Sequence, residues 1–261
     1  MRRPAAGKRP KKKRDQSTLI WRFAGQLPTP SAQSSAQVLA WLAAFKAKAA
    51  GKAIATRIRQ HPPLMQILGG IAEAAPYLWD LVQADPGRFV RLLEAAPDDA
   101  LAALLAATQS AAATARSAED VMRILRRMKA EAALLIALAD IVGVWPVARV
   151  TEALTDVAET ALAAAVRYLL DEAVKRKKLT PSDGQNQETG SGYIVLAMGK
   201  MGAHELNFSS DIDLMAFFDP STAKLAGGVE PTQFYVNITR ALVKLLQERT
   251  PDGYVFRIDL R

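Results

Sequence analysis

The sequence predicts an α+β protein, a helical N-terminal region followed by a small sheet domain, and three observations carry that reading. Residues 36–178 are rich in Ala and Leu, with few β-branched runs and with Pro as punctuation, as packed helices require. Residues 180–192 are a polar, Gly-containing linker or surface loop. Beyond them the apolar period shortens from helical to strand-like at 193–198, 214–218 and 254–261.

Taken in order, residues 1–35 form a basic, then Pro- and Ser-rich leader expected to stay disordered. Helices are predicted over 36–59, 63–83, 86–95, 98–114, 118–142 and 146–178. Pro63, Pro86, Pro97 and Pro146 stand where a first helical turn tolerates proline. Ser117 caps the helix at 118, whose Val121, Leu125, Met128, Ala132 and Leu135 repeat as a core stripe. A further helix spans 232–249, and Pro251-Asp252-Gly253 turns the chain into the last strand. The organisation expected is thus leader 1–35, helical region 36–179, linker 180–192 and sheet domain 193–261.

The formal charge of +8 is local: without the eight Lys and Arg of residues 1–14, the other 26 basic residues match 26 acidic ones. The tail reads as a solvated arm, and the neutral body shows no nucleic-acid footprint. No apolar run is long enough for a membrane span. With no Cys and only His61 and His204, a thiolate zinc site is excluded. A cytoplasmic enzyme is the simplest fit.

The chemistry lies between Gly199 and Leu214, which reads as a glycine-bracketed turn or short helix running into a strand. Alternation along a strand puts Asp211 and Asp213 on one side, roughly 7 Å apart at ~3.3 Å rise per residue. Like charges that close resist burial. Yet Ile212, Leu214, Met215, Ala216, Phe217 and Phe218 argue that the strand is buried on at least one face. A divalent cation removes the penalty, and Mg²⁺ takes carboxylate oxygens together with substrate phosphates. A third carboxylate, Asp259, shares a strand face with Arg257 and Arg261, opposite Phe256, Ile258 and Leu260. For a lone Asp-x-Asp, a solvated strand face would be the better reading; the apolar flanks and third carboxylate favour a metal site. Gly199-Lys200 does not complete a Walker A loop, and the dinucleotide spacing is absent. His204 reads as a turn residue, and Asn207-Phe208-Ser209 matches a glycosylation pattern of the kind that arises by chance.

A glycine turn, Ser-Asp-x-Asp on one strand and a later Asp on another resemble the nucleotidyltransferase superfamily of DNA polymerase β. The longer string is more specific. Met198-Gly199-Lys200-Met201-Gly202, Glu205-Leu206-Asn207, Ser209 to Leu214 and Phe256 to Arg261 resemble the bifunctional glutamine synthetase adenylyltransferase and adenylyl-removing family. The motif-bearing part of the resemblance covers residues 193–261.

The resemblance implies a polymerase-β-like sheet in which Asp211, Asp213 and Asp259 bind metal, Mg²⁺ or Mn²⁺, and perform catalysis. Gly199 and Gly202 would let the backbone approach a phosphate, Ser209 and Ser210 would donate hydrogen bonds to it, and Lys200, Arg257 and Arg261 would offset its charge. It implies phosphorolytic removal of AMP from a tyrosine of glutamine synthetase, releasing ADP, in the service of nitrogen assimilation. A parent protein would also adenylylate the same tyrosine from ATP. Partners would be glutamine synthetase, ATP or ADP, phosphate and a nitrogen-signalling regulatory protein. The chain is expected to be the N-terminal portion of that parent, with its nucleotidyltransferase domain incomplete. Two alternatives stay open: another nucleotidyltransferase acting on a small molecule or nucleic acid, and a noncatalytic fragment that binds glutamine synthetase or its regulator.

Overall fold

The computed structural model describes residues 17–23, 27, 29–45, 47–180 and 187–261. The basic tail of residues 1–14 lies outside the described residues. Among the described residues eight α-helices come first: α1 (Ala32–Phe45), α2 (Ala49–Gln60), α3 (Pro63–Ala74), α4 (Pro76–Ala84), α5 (Pro86–Leu93), α6 (Pro97–Ala113), α7 (Ala118–Ile141) and α8 (Val147–Lys175). After the single turn α9 (Gln187–Gly190) the chain alternates as β1 (Tyr193–Ala197), α10 (Gly199–Gly202), β2 (Ile212–Phe218), α11 (Pro231–Gln247) and β3 (Ile258–Leu260). The α+β class expected from the sequence is the one observed.

Proline at the first helical position sets the starts of α3, α4, α5, α6 and α11. There its missing N–H belongs to the unpaired first turn and its fixed φ suits the helix. Ser117 caps α7 as expected, its hydroxyl accepting from the Asp120 N–H at 3.1 Å. Two expected helices are each a pair. The stretch 63–83 breaks at Ala75, because Pro76 cannot donate to the carbonyl four residues back and crowds it. The stretch 36–59 breaks before α2, where Lys48 is extended at φ −74° and ψ 153°.

Parts of the expected leader are ordered. Leu19 and Ile20 are buried, and the Leu19 N–H donates to the Ala95 carbonyl at 2.8 Å. Helix α1 begins four residues early, where Ser31 N–H and Ser34 Oγ both donate to Glu73 Oε2, at 2.7 and 2.8 Å.

One core runs from Leu19 through α7 and α8 into α11. Helices α6, α7 and α8 pack on one another, and α11 lies against α7 and α8. The sheet has the order β1-β2-β3. β1 pairs antiparallel with β2, and β2 pairs parallel with β3. A parallel neighbour needs a crossover, and α11 supplies it. The inner face of the sheet closes on α8 through a smaller cluster of Ala158, Met201, Leu206, Ile212 and Leu214.

Arg126 ties these layers together. Its side chain on α7 is fully buried. Its guanidinium donates to the carbonyls of Met122 (3.1 Å), Leu245 (3.0 Å), Gly253 (2.8 Å) and Glu248. Leu245 and Glu248 end α11 and Gly253 lies in the turn that follows, so one side chain satisfies carbonyls that the helix terminus leaves open. Beyond this clamp Val255 N–H and Phe256 N–H both donate to the Leu246 carbonyl, and Ile258 N–H donates to Gln247 Oε1 at 3.1 Å. The clamp fixes the point from which β3 departs.

Candidate functional site

β2 alternates. Ile212 and Leu214 point inward and are buried, which turns Asp211 and Asp213 outward to the other face. The parallel register places Asp213 beside Asp259, and the Ile212 N–H donating to the Arg257 carbonyl at 3.0 Å places Asp211 next to Arg257. The five charged residues Asp211, Asp213, Arg257, Asp259 and Arg261 therefore form one patch. Only residues 258–260 pair as strand, because 255 and 256 donate to α11 instead.

Arginines hold the carboxylates. Arg261 Nη2 lies 3.0 Å from Asp213 Oδ1 and 3.0 Å from Asp259 Oδ2, and Arg257 Nε pairs with Asp211 Oδ1. The hydrogen bond to Asp213, with the charges of Asp259 and Asp213, holds the Arg261 guanidinium above its usual range. Among the described residues no three His, Asp or Glu side chains already stand as a metal-ligating group. The donor set nonetheless fits a hard divalent cation: one cationic nitrogen touches both Asp213 and Asp259, so the two carboxylates converge on a point that positive charge can occupy.

The two candidate glycines have reasons inside the fold. Gly199 sits at φ +54°, and a Cβ there would fall 2.7 Å from Asp213 Oδ2. A Cβ on Gly202 would meet the Ala197 carbonyl at 2.5 Å. Glycine thus lets α10 nest against β1 while leaving room for the Asp213 carboxylate. Lys200 is exposed on α10. His204 is a turn residue at φ 57°, with Nε2 3.9 Å from Glu159 Oε1.

Ser209 and Ser210 belong to a loop organised by Asn207. Its Oδ1 accepts from the Ser209 N–H at 3.1 Å and from the Ser210 hydroxyl at 2.9 Å. The pattern read as a glycosylation match is an Asx turn that presents Asp211. Asn207 is thus a positioning residue the sequence reading passed over, although Asn followed two residues later by Ser signals such a turn. On the same sheet face, Ile194 and its register partner Phe217, with Leu196, extend the charged patch as an exposed apolar shelf.

Three carboxylates on two parallel strands, beside a glycine turn and a helical layer, are the makeup of a nucleotidyltransferase. Comparison with known proteins narrows the class. A family model described as Glutamate-ammonia ligase adenylyltransferase matches residues 63–261, and the chain belongs to that family. It is 60% identical over 195 residues to a bifunctional glutamine synthetase adenylyltransferase/adenylyl-removing enzyme of Bradyrhizobium diazoefficiens, covering 75% of this chain and 20% of the relative. A protein of the same description from Bradyrhizobium sp. strain BTAi1 is 54% identical over 221 residues, 85% of this chain and 22% of the relative. One from Rhodopseudomonas palustris strain BisB5 is 47% identical over 247 residues, 94% and 25% respectively. The chain spans about a fifth to a quarter of the length of the curated relatives it matches. Among the described residues no helix is long and apolar enough to cross a membrane.

Proposed function

We propose that this chain carries the adenylyl-removing site of its family, acting in the cytoplasm on AMP-tyrosine of glutamine synthetase in the control of nitrogen assimilation. The observation that carries the reading is the register of Asp213 beside Asp259, with Asp211 on the same face. In the reaction a phosphate oxygen attacks the AMP phosphorus, the bond from phosphorus to the tyrosyl oxygen breaks, and ADP and a tyrosine hydroxyl result. Adenylylation from ATP belongs, on this reading, to the longer parent protein, and a nitrogen-signalling regulatory protein would set the balance.

Asp211, Asp213 and Asp259 are the residues that would hold Mg²⁺ or Mn²⁺, which supplies positive charge for the nonbridging and departing oxygens. Arg261 and Arg257 orient the three carboxylates, and exchange carboxylate for phosphate oxygens when substrate arrives. Gly199 keeps Asp213 in place, and Asn207 keeps Ser209 and Ser210 at the rim, where the Ser209 hydroxyl and Lys200 can meet a phosphate. Ile194, Leu196 and Phe217 offer the apolar surface on which a purine can lie.

Adenylylated glutamine synthetase incubated with this protein, Mg²⁺ and phosphate should release ADP, measured by chromatography. Asp213→Asn should abolish release with the melting temperature nearly unchanged. Full turnover by Asp213→Asn would remove the assignment.

A further inference from the structure

A cleft of about 890 Å³ lies behind the loop at Asn207. Its walls are the α3–α4 junction, α7, the 207–210 loop and the segment 252–257 that leads into β3. That volume falls in the range of small-ligand sites. Lys129 of α7 reaches into it. Its Nζ lies 4.6 Å from the centre of the Tyr254 ring, 5.7 Å from Phe256 and 6.0 Å from Tyr77. The rings fix the ammonium by cation–π contact at the wall of the cleft.

Among the described residues no carboxylate pairs with Lys129. Burial first, then the positive charges of Arg126 and Arg257, hold its ammonium below the usual lysine range. Arg126 has committed four of its five N–H donors to carbonyls, so what it adds to the cleft is chiefly positive potential. Of the acids on the wall, Asp140 is held above the ordinary carboxylate range by burial, and Asp252 sits in the exposed turn before Gly253. A desolvated cation among cations is relieved by a bound anion.

We propose that this cleft is a binding site for a phosphate-type oxyanion, with Lys129 as its main contact and Arg257 at its mouth. Arg257 also pairs with Asp211, so the bound anion would lie one side chain from the carboxylate patch. The ammonium suits a compact oxyanion as a point charge, and the flanking rings accept a planar group attached to it. Free orthophosphate and the phosphate of a nucleotide share this chemistry. The site needs neither metal nor the three carboxylates, so it stands or falls apart from the proposed function.

The test is calorimetric titration of the whole chain with sodium phosphate and, separately, with AMP, at constant ionic strength and without divalent metal. At least one should bind. Lys129→Gln should weaken that binding at least tenfold, Lys129→Arg should stay within about threefold, and Asp213→Asn should bind as the wild type does. Phosphate binding identifies the free anion as sufficient; binding of AMP alone identifies the nucleotide. In the wild type the bound anion should also slow acylation of Lys129 at least fivefold relative to exposed Lys52 of α2, read by mass spectrometry, which needs no variant to fold. Wild type that binds neither, Lys129→Gln that binds undiminished, loss of binding in Asp213→Asn, or unchanged labelling of Lys129 would each overturn the proposal.

Discussion

Leu134, Leu135 and Ile136 of α7 are all fully buried, three consecutive residues on a helix enclosed from every side. Along β2 burial stops after Leu214, and Phe217 is 50% exposed. The helical layer is held by apolar area shared among many elements, so its stability is distributed. The sheet is held by a five-residue cluster on one face, by Tyr193 of β1 in the larger core, by a polar clamp from α7 and by ion pairs on the other face. A region built this way can open locally while the helices stay folded. On the proposed function, the surface that would meet substrate is the one with the thinner foundation.

The comparison predicts its largest effect in the helices. Leu135→Ala should cost about 4 kcal/mol, because the enclosed site cannot collapse onto the lost side chain. The denaturation midpoint should fall for helix and sheet signals together. Arg126→Met should cost about 3 kcal/mol by leaving buried carbonyls without donors. Hydrogen exchange should then speed first at β3 and the end of α11, with the middle of α7 following only at global unfolding. Equal acceleration everywhere would show that the sheet has no separate mode of opening. Gly199→Ala should cost about 1–2 kcal/mol from the left-handed backbone alone. It should also displace Asp213 and lower ADP release more than stability.

The smallest effect is electrostatic. Glu230 caps α11, and the N–H groups of Gln233 and then Thr232 hold its carboxyl below the usual range. The stability it contributes is fully present above the ordinary carboxylate pKa and lost as pH falls through the lowered folded value. Glu230→Gln should flatten that acid limb of the melting temperature against pH. An unchanged limb would mean the cap is broken in solution.

Much of this layout is legible in the sequence. Pro63, Pro86 and Pro97 mark helix starts because their geometry is local. Pro76 escapes because Ile71 and Leu78 keep helical spacing across it, and the periodicity hides the break. The break at 47–48 has no local signal at all. Lys and Ala are good helix formers, and the chain turns there so that α1 can pack on α3 and α2 on α5. The carboxylate face is legible from alternation alone, and the structure returns it with Arg257 and Arg261 as ion-pair partners. Arg126 is not legible: Arg123 and Arg127 beside it look the same, and only carbonyls far along the chain distinguish it.

Those carbonyls set a clock. Arg126 Nε and the Gly253 oxygen are 127 residues apart in sequence. At roughly 5–20 residues per second, synthesis separates the two groups by about 6–25 s. Helix–coil exchange takes about a microsecond or less and hydrophobic collapse at most ~100 μs, so α7 forms and collapses long before its guanidinium has those partners. A nascent chain therefore passes through an interval in which a folded helical layer carries an uncapped cation. The third carboxylate cannot reach its strand until the crossover arrives and quenches it.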